Sequence, residues 1–158
     1  MATLKDQLQR ARTATPESQI NLIFNFIRSI EKELADLNRT QIFEFSTDVF
    51  GNALGFYSKA TEQITTERAL LGHPGPIKKE GDPFDLKDTG VFLPSIFARV
   101  SKDFVLFGAS DPKTDDIMDN PNLLSKDIFG LTDVALTKVI QEKILPFYQR
   151  STRKILRL

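Results

Sequence analysis

The chain lacks cysteine and tryptophan, holds a single histidine, and has no apolar run longer than Phe104-Val105-Leu106-Phe107. Without cysteine there is no disulfide framework, no thiolate nucleophile and no cysteine-based metal site. One histidine, His73, excludes chemistry that needs two imidazoles. A membrane-spanning helix takes roughly 20 consecutive apolar residues, far more than any run present. The first residues, Met1-Ala2-Thr3-Leu4-Lys5-Asp6-Gln7, hold no apolar signal-peptide core, so secretion by that route is not expected. Charge of one sign is also missing: 21 lysines and arginines balance 21 aspartates and glutamates, so no global field recruits nucleic acid or an acidic membrane.

What is present suits one compact domain, with 41% apolar and 27% charged residues in 158. Residues 1–14 read as a short helix or an arm that docks on a neighbour, and residues 15–158 as a single domain with a long loop at about 72–88. Thr15-Pro16-Glu17 is a helix start: threonine caps free amides, proline fits the first turn, and glutamate complements the helix dipole. Ile20, Ile23, Phe24, Ile27, Ile30, Leu34 and Leu37 then recur at helical spacing, predicting one long amphipathic helix over about 16–45. Leu22, Phe26, Phe43 and Phe45 lie partly off that stripe and predict a second buried face, within the domain or against another chain.

Glycine and asparagine in Gly51-Asn52-Ala53-Leu54-Gly55 predict a turn, after which Ser58 caps a second helix running to Gly72. Proline and glycine punctuate residues 72–83 too densely for a regular element, which marks a surface loop suited to partner contact. Two runs of strand length, 96–100 and 104–107, flank Ser101-Lys102-Asp103 and predict a hairpin, with Pro94 tolerated at its entrance. Additional strands are expected around Ile77 or Asp85-Leu86. Thr132 caps a closing helix with Leu136, Val139, Ile140, Ile144, Phe147 and Tyr148 on one face and a kink at Pro146. The fold class expected is therefore α+β, with a long N-terminal amphipathic helix and a C-terminal helix packed on a small antiparallel β-sheet.

Residues that would carry chemistry are sparse. The glycines at 51–55 and 72–75 lack the lysine of a phosphate-binding loop. The carboxylates of residues 111–119 lack the spacing, central glycine and terminal glutamate of a calcium loop. His73 sits among prolines and glycines with no serine held beside it, and Asn38-Arg39-Thr40 lies inside a predicted helix, unsuited to glycosylation. No catalytic, cofactor-binding or metal-binding residue is assigned, and an enzyme is not expected.

Two charged patches do stand out. Residues 103–127 hold six aspartates, Asp111, Asp115 and Asp116 among them, against two lysines. The C-terminal end, Arg150, Arg153, Lys154 and Arg157, holds four bases and no acid. Its bases can complement a helix C-terminus, an acidic patch on a neighbour, or phosphate. Aromatic platforms for base stacking are not interleaved with them. Thirteen phenylalanines provide a core, and an interface, of rings without polar handles.

The order of parts resembles the virion-morphogenesis and tail-completion proteins of tailed bacteriophages, most closely those of crAss-like phages of gut Bacteroidetes. The residues that carry it are the long helix, Gly51-Asn52-Ala53-Leu54-Gly55-Phe56-Tyr57-Ser58, the turn at Thr89-Gly90 leading by Ser95 into the hairpin, and Phe129-Gly130-Leu131-Thr132 before the closing helix. The resemblance covers about residues 20–150, and these are fold motifs. One departure is the run Val91-Phe92-Leu93-Pro94-Ser95 after Gly90, where family members have a leucine, a basic residue and a serine. The resemblance implies a structural virion protein, a head-tail connector or neck ring built of identical subunits, on the order of six or of twelve copies, with twelve favoured by analogy with portal-adjacent rings. It implies the portal or neighbouring neck and tail rings as partners, no membrane, DNA in the channel lumen as a weaker partner, and a location in the virion after assembly in the host cytoplasm. The competing expectations are a nucleic-acid-binding module using the basic end, and an assembly chaperone absent from the finished particle.

Overall fold

The computed structural model describes residues 4–13, 15–87, 90–101 and 103–156. Helix α1 (Leu4–Thr13) precedes α2 (Pro16–Ser29) and α3 (Glu31–Phe45); α4 (Lys59–Leu70) comes after a turn-rich stretch. A single-turn helix α5 (Phe92–Ser95) leads into strands β1 (Ile96–Val100) and β2 (Val105–Ala109), then a short helix α6 (Thr114–Met118). The chain closes with α7 (Asp133–Val139), a π-helical turn (Ile140–Ile144) and α8 (Leu145–Leu156). The fold is thus α+β, as the sequence predicts.

Three of the helix starts are set by local chemistry. The side chains of Thr15, Ser58 and Thr132 accept from the amides of Ser18, Thr61 and Ala135, each the third residue on. The long helix expected over 16–45 is two helices, because Ile30 leaves helical geometry with φ −113° and ψ 14°. One residue earlier the Ser29 hydroxyl bonds the Phe26 carbonyl at 2.6 Å, a back-bonding geometry that bends helices. The break lets Phe26 of α2 stack on Phe147 of α8, centroids 4.1 Å apart, while α3 packs along β1.

The hairpin forms at the expected place, with β2 running to Ala109 and Ser101–Phe104 closing the turn. The further strands expected near Ile77 and Asp85-Leu86 are absent among the described residues; only an isolated bridge between Phe56 and Pro83 occurs there. That segment is instead held by main-chain bonds of Gly81, Asp82 and Phe84 to Gly55 and Tyr57 and by the side chains of Lys78 and Asp85.

Two apolar clusters form the core. In one, Ile42, Leu54, Phe84, Phe92, Ile96, Leu123 and Ile128 are buried together. In the other, Ile30, Leu34 and Ala35 meet Ala98 of the sheet and Val139 of α7. Burying one such aliphatic side chain contributes about 1.5–3 kcal/mol. Val139 and Ile144 both serve the second cluster although they are five residues apart, a spacing that faces different ways on an α-helix and is aligned by the π turn. Pro146, which has no N–H to give, lies just past this turn, so the expected kink takes the form of a wide helical turn over 140–144.

Candidate assembly surface

The motif residues around the last helix are built into the core from the opposite end of the chain. Asn38, fully buried on α3, donates to the carbonyls of Ile128 at 2.8 Å and Gly130 at 2.7 Å. One turn on, Gln41 Oε1 accepts from the Thr132 amide at 3.0 Å. Phe129 packs toward the first cluster, with its ring 6.5 Å from Phe92, and Leu131 packs on the second. Gly130 has φ +147°, and a Cβ there would stand 2.9 Å from Val49 Cγ1. The sequence motif is therefore a clasp that fixes the start of α7 against α3.

The glycine turn is fixed with equal economy. Gly51 has φ +82° with open space around it, whereas a Cβ on Gly55 would meet the Asn122 carbonyl at 2.6 Å and the Phe84 ring at 2.8 Å. Just before them Asp48, almost fully buried, accepts from the amides of Phe50 at 2.9 Å and Asn52 at 2.7 Å. Burial pushes its carboxyl up, but hydrogen bonds from the Ser125 side chain and from Asn52 and Phe50 outweigh this and hold it below the ordinary range. Gly90 has φ +82° and is exposed, in a turn whose Thr89 lies outside the described residues.

The long loop is strapped down by a buried lysine. Lys78 Nζ reaches both Asp85 oxygens, at 2.6 and 2.7 Å, and lies 5.2 Å from the centre of the Tyr57 ring, whose hydroxyl donates to Asp85 Oδ1 at 2.8 Å. Burial raises the Asp85 carboxyl, and the bonds from Lys78, the Lys87 amide and Tyr57 lower it further than burial raises it. Burial and then the Asp85 carboxylate push the Tyr57 hydroxyl well up, so it stays protonated. The Lys78 amide also donates to Thr65 Oγ1, and Glu62 accepts from the Glu80 amide. This trio is a fastening with every charge answered inside it. His73 stands exposed at the start of the same loop, its amide bonded to the Arg68 carbonyl of α4.

The charged patches remain on the surface. Arg150, Arg153 and Lys154 are exposed on α8, and Arg150 Nε donates to the Pro146 carbonyl of its own helix. Arg157 lies outside the described residues. Asp115 and Asp116 are exposed in the first turn of α6, while the half-buried Asp111 accepts from the Lys113 amide and shapes the turn into that helix. Among the described residues no ion pair joins the acidic stretch to the basic end, so the two patches stay unmatched within one chain.

Phe43 and Phe45, expected on a second face buried within the domain or against another chain, are exposed in the single chain. Phe45, Phe50 and Phe56 are 66%, 74% and 55% exposed, and Leu124, whose amide bonds the Leu54 carbonyl, is 70% exposed beside the same stretch. A groove of about 410 Å³ runs between α3 and the closing helix, lined by Leu37, Thr40, Ala135 and Val139 with Glu33, Asp36, Lys138 and Lys143 at its margins. A signal was available at Phe43 and Phe45, which fall off the helical stripe. Among the described residues no group of three acidic or histidine side chains could hold a metal ion, and no helix is long and apolar enough to cross a membrane. Neither a family model, a curated protein nor a solved structure matches this chain.

Proposed function

We propose that the chain is a non-catalytic structural subunit that assembles with copies of itself into a ring of the neck or tail of a tailed phage, as a head-tail connector or tail-completion protein. The observation that carries the assembly part is the set of phenylalanines at 45, 50 and 56, each more than half exposed on a stretch that is itself held rigid by Asp48 and Gly55. Large rings on a fixed backbone are covered by a partner at little ordering cost. The unmatched acidic stretch and basic end of a neutral chain suit heterologous contacts, in which unlike patches of successive copies meet and close. The placement in a phage particle rests on the resemblance of the motif order alone.

The test is quantitative mass spectrometry of purified particles of the encoding phage, counting this chain against the portal protein. A fixed ratio simply related to that of the portal is expected. Absence from complete particles rejects the structural reading and leaves an assembly chaperone. A second reading, a nucleic-acid-binding module, draws on the exposed Arg150, Arg153 and Lys154. It requires binding that weakens steeply with salt, which a titration shows or excludes.

A further inference from the structure

The two strands of the sheet present very different outer edges. In the register Ile96↔Ala109 to Val100↔Val105, the pairs Ser95/Ser110 and Ser101/Phe104 at either end are hydrogen bonded, the Ser110 amide to the Ser95 carbonyl at 3.2 Å and the Ser101 amide to the Phe104 carbonyl at 2.9 Å. Antiparallel pairing alternates, so Phe97/Gly108 and Arg99/Leu106 exchange the bonds between the strands. The N–H and C=O groups of Ile96, Ala98 and Val100 on β1, and of Val105, Phe107 and Ala109 on β2, therefore point away from the partner strand.

On β1 that edge is covered by α3, which packs along the strand, buries Ala98 and bonds its two ends. The Val100 amide donates to Glu31 Oε1 at 2.6 Å, and Arg39 Nη2 donates to the carbonyls of Ile96 and Pro94. On β2 nothing among the described residues bonds the outward groups of Val105, Phe107 and Ala109. Residues 104–109 carry no charge and no proline, the devices that normally keep an edge strand from pairing. Beneath the same strand lies an apolar crevice of about 150 Å³ lined by Val105 and Phe107 with Leu131, Leu136 and Ile144.

We propose that the β2 edge is a docking site for an extended segment of another protein, which adds a third strand to the sheet. The recognition chemistry is specific enough to describe that segment. Its main chain pairs with Val105, Phe107 and Ala109, and alternate aliphatic side chains face the crevice. Its flanks are basic, because the edge is bracketed by Asp103, which follows Lys102, at one end and by Asp111, Asp115 and Asp116, which outnumber Lys113, at the other. A second copy's β2 meets these demands poorly: antiparallel pairing centred on Phe107 places Asp103 of one chain opposite Asp111 of the other. Docking at this edge depends on strand register and charge, and stands or falls separately from the ring.

Amide hydrogen exchange on the full chain tests it, read residue by residue by NMR. The probe is a peptide of about seven residues alternating valine and threonine between terminal lysines. In the protein alone, Val105, Phe107 and Ala109 are expected to exchange faster than Leu106 and Gly108. With peptide at about ten times its Kd, exchange at those three is expected to slow about tenfold, and not with a version N-methylated on alternate amides. Asp103→Lys is expected to weaken the lysine-ended peptide several-fold and to leave the spectrum of the folded chain otherwise unchanged. No slowing at millimolar peptide overturns the proposal. So does protection already present in the protein alone; loss of that protection on dilution would assign the edge to a second copy. Equal binding of a peptide ended by glutamates overturns the basic flanks.

Discussion

Asn38 Nδ2 stands 2.7 Å from the carbonyl oxygen of Gly130, across 92 residues of sequence, and the same nitrogen serves Ile128. One side-chain amide thus satisfies two buried carbonyls at the point where the chain turns into its closing helix. Replacing Asn38 by leucine keeps the side chain's branched shape and leaves both carbonyls without a donor. A loss of about 2–4 kcal/mol is expected from urea denaturation. A loss below about 0.5 kcal/mol would show that the clasp contributes nothing net.

Gly51 and Gly55 separate two reasons for glycine. At Gly51 only the left-handed backbone opposes a side chain, so Gly51→Ala is expected to cost about 1 kcal/mol. At Gly55 the added methyl also meets the Asn122 carbonyl and the Phe84 ring, so Gly55→Ala is expected to cost about 3 kcal/mol or more. Parallel thermal and urea unfolding of the two variants checks the order.

Acid should unfold the protein through Asp48 and Asp85. Both carboxyls sit lower in the folded chain than their ordinary value, so the unfolded chain binds protons first as pH falls. Their contribution is complete above the ordinary carboxylate value of about 3.9 and is lost as pH falls through the lower folded values. Urea midpoints measured between neutral pH and the acid limit of solubility should fall across that window. Asp48→Asn should be less stable at neutral pH and show a shallower decline.

Lys78 fastens the long loop, and Lys78→Met removes the cation while leaving Tyr57 to bond Asp85. The partial exposure of Asp85 tempers the cost, expected at about 1–3 kcal/mol. Cleavage by trypsin after Lys79 should become faster in the variant under native conditions. An unchanged cleavage rate would place the fastening in the Pro and Gly residues of the loop.

Reversing Arg153 and Lys154 to glutamate tests the proposed charged contact between copies. Both are exposed, so the variant is expected to keep its unfolding curve and lose self-assembly in sedimentation velocity. Unchanged assembly would remove this end of α8 from the interface.

Much of the fold was legible because it is local. Thr15, Ser58 and Thr132 act on amides three residues away, and the aromatic and branched run at 96–100 needs only its neighbours to be read. The break at Ile30 was hidden because the apolar period runs on through it. Asn38 and Gln41 looked like ordinary helix polar residues, since what makes them central is a pair of carbonyls and an amide about ninety residues on. Ile77 and Asp85-Leu86 read as strand because a lysine that fastens a loop through its side chain leaves no periodic mark. Phe45 stood off the helical stripe in the sequence, but exposed phenylalanine has the same composition as buried phenylalanine, so its exposure together with Phe50 and Phe56 became visible only in three dimensions.

The wide turn at 140–144 makes the closing helix unusually tolerant of one kind of length change. It holds one residue more than an α-helical path over the same rise would, so deleting a single residue there lets the helix rewind without rotating α8. Phe147 would keep its place on Phe26, and the basic face of α8 would keep its direction. An added residue has no such slack to absorb it, and would swing that face by about 100° about the helix axis.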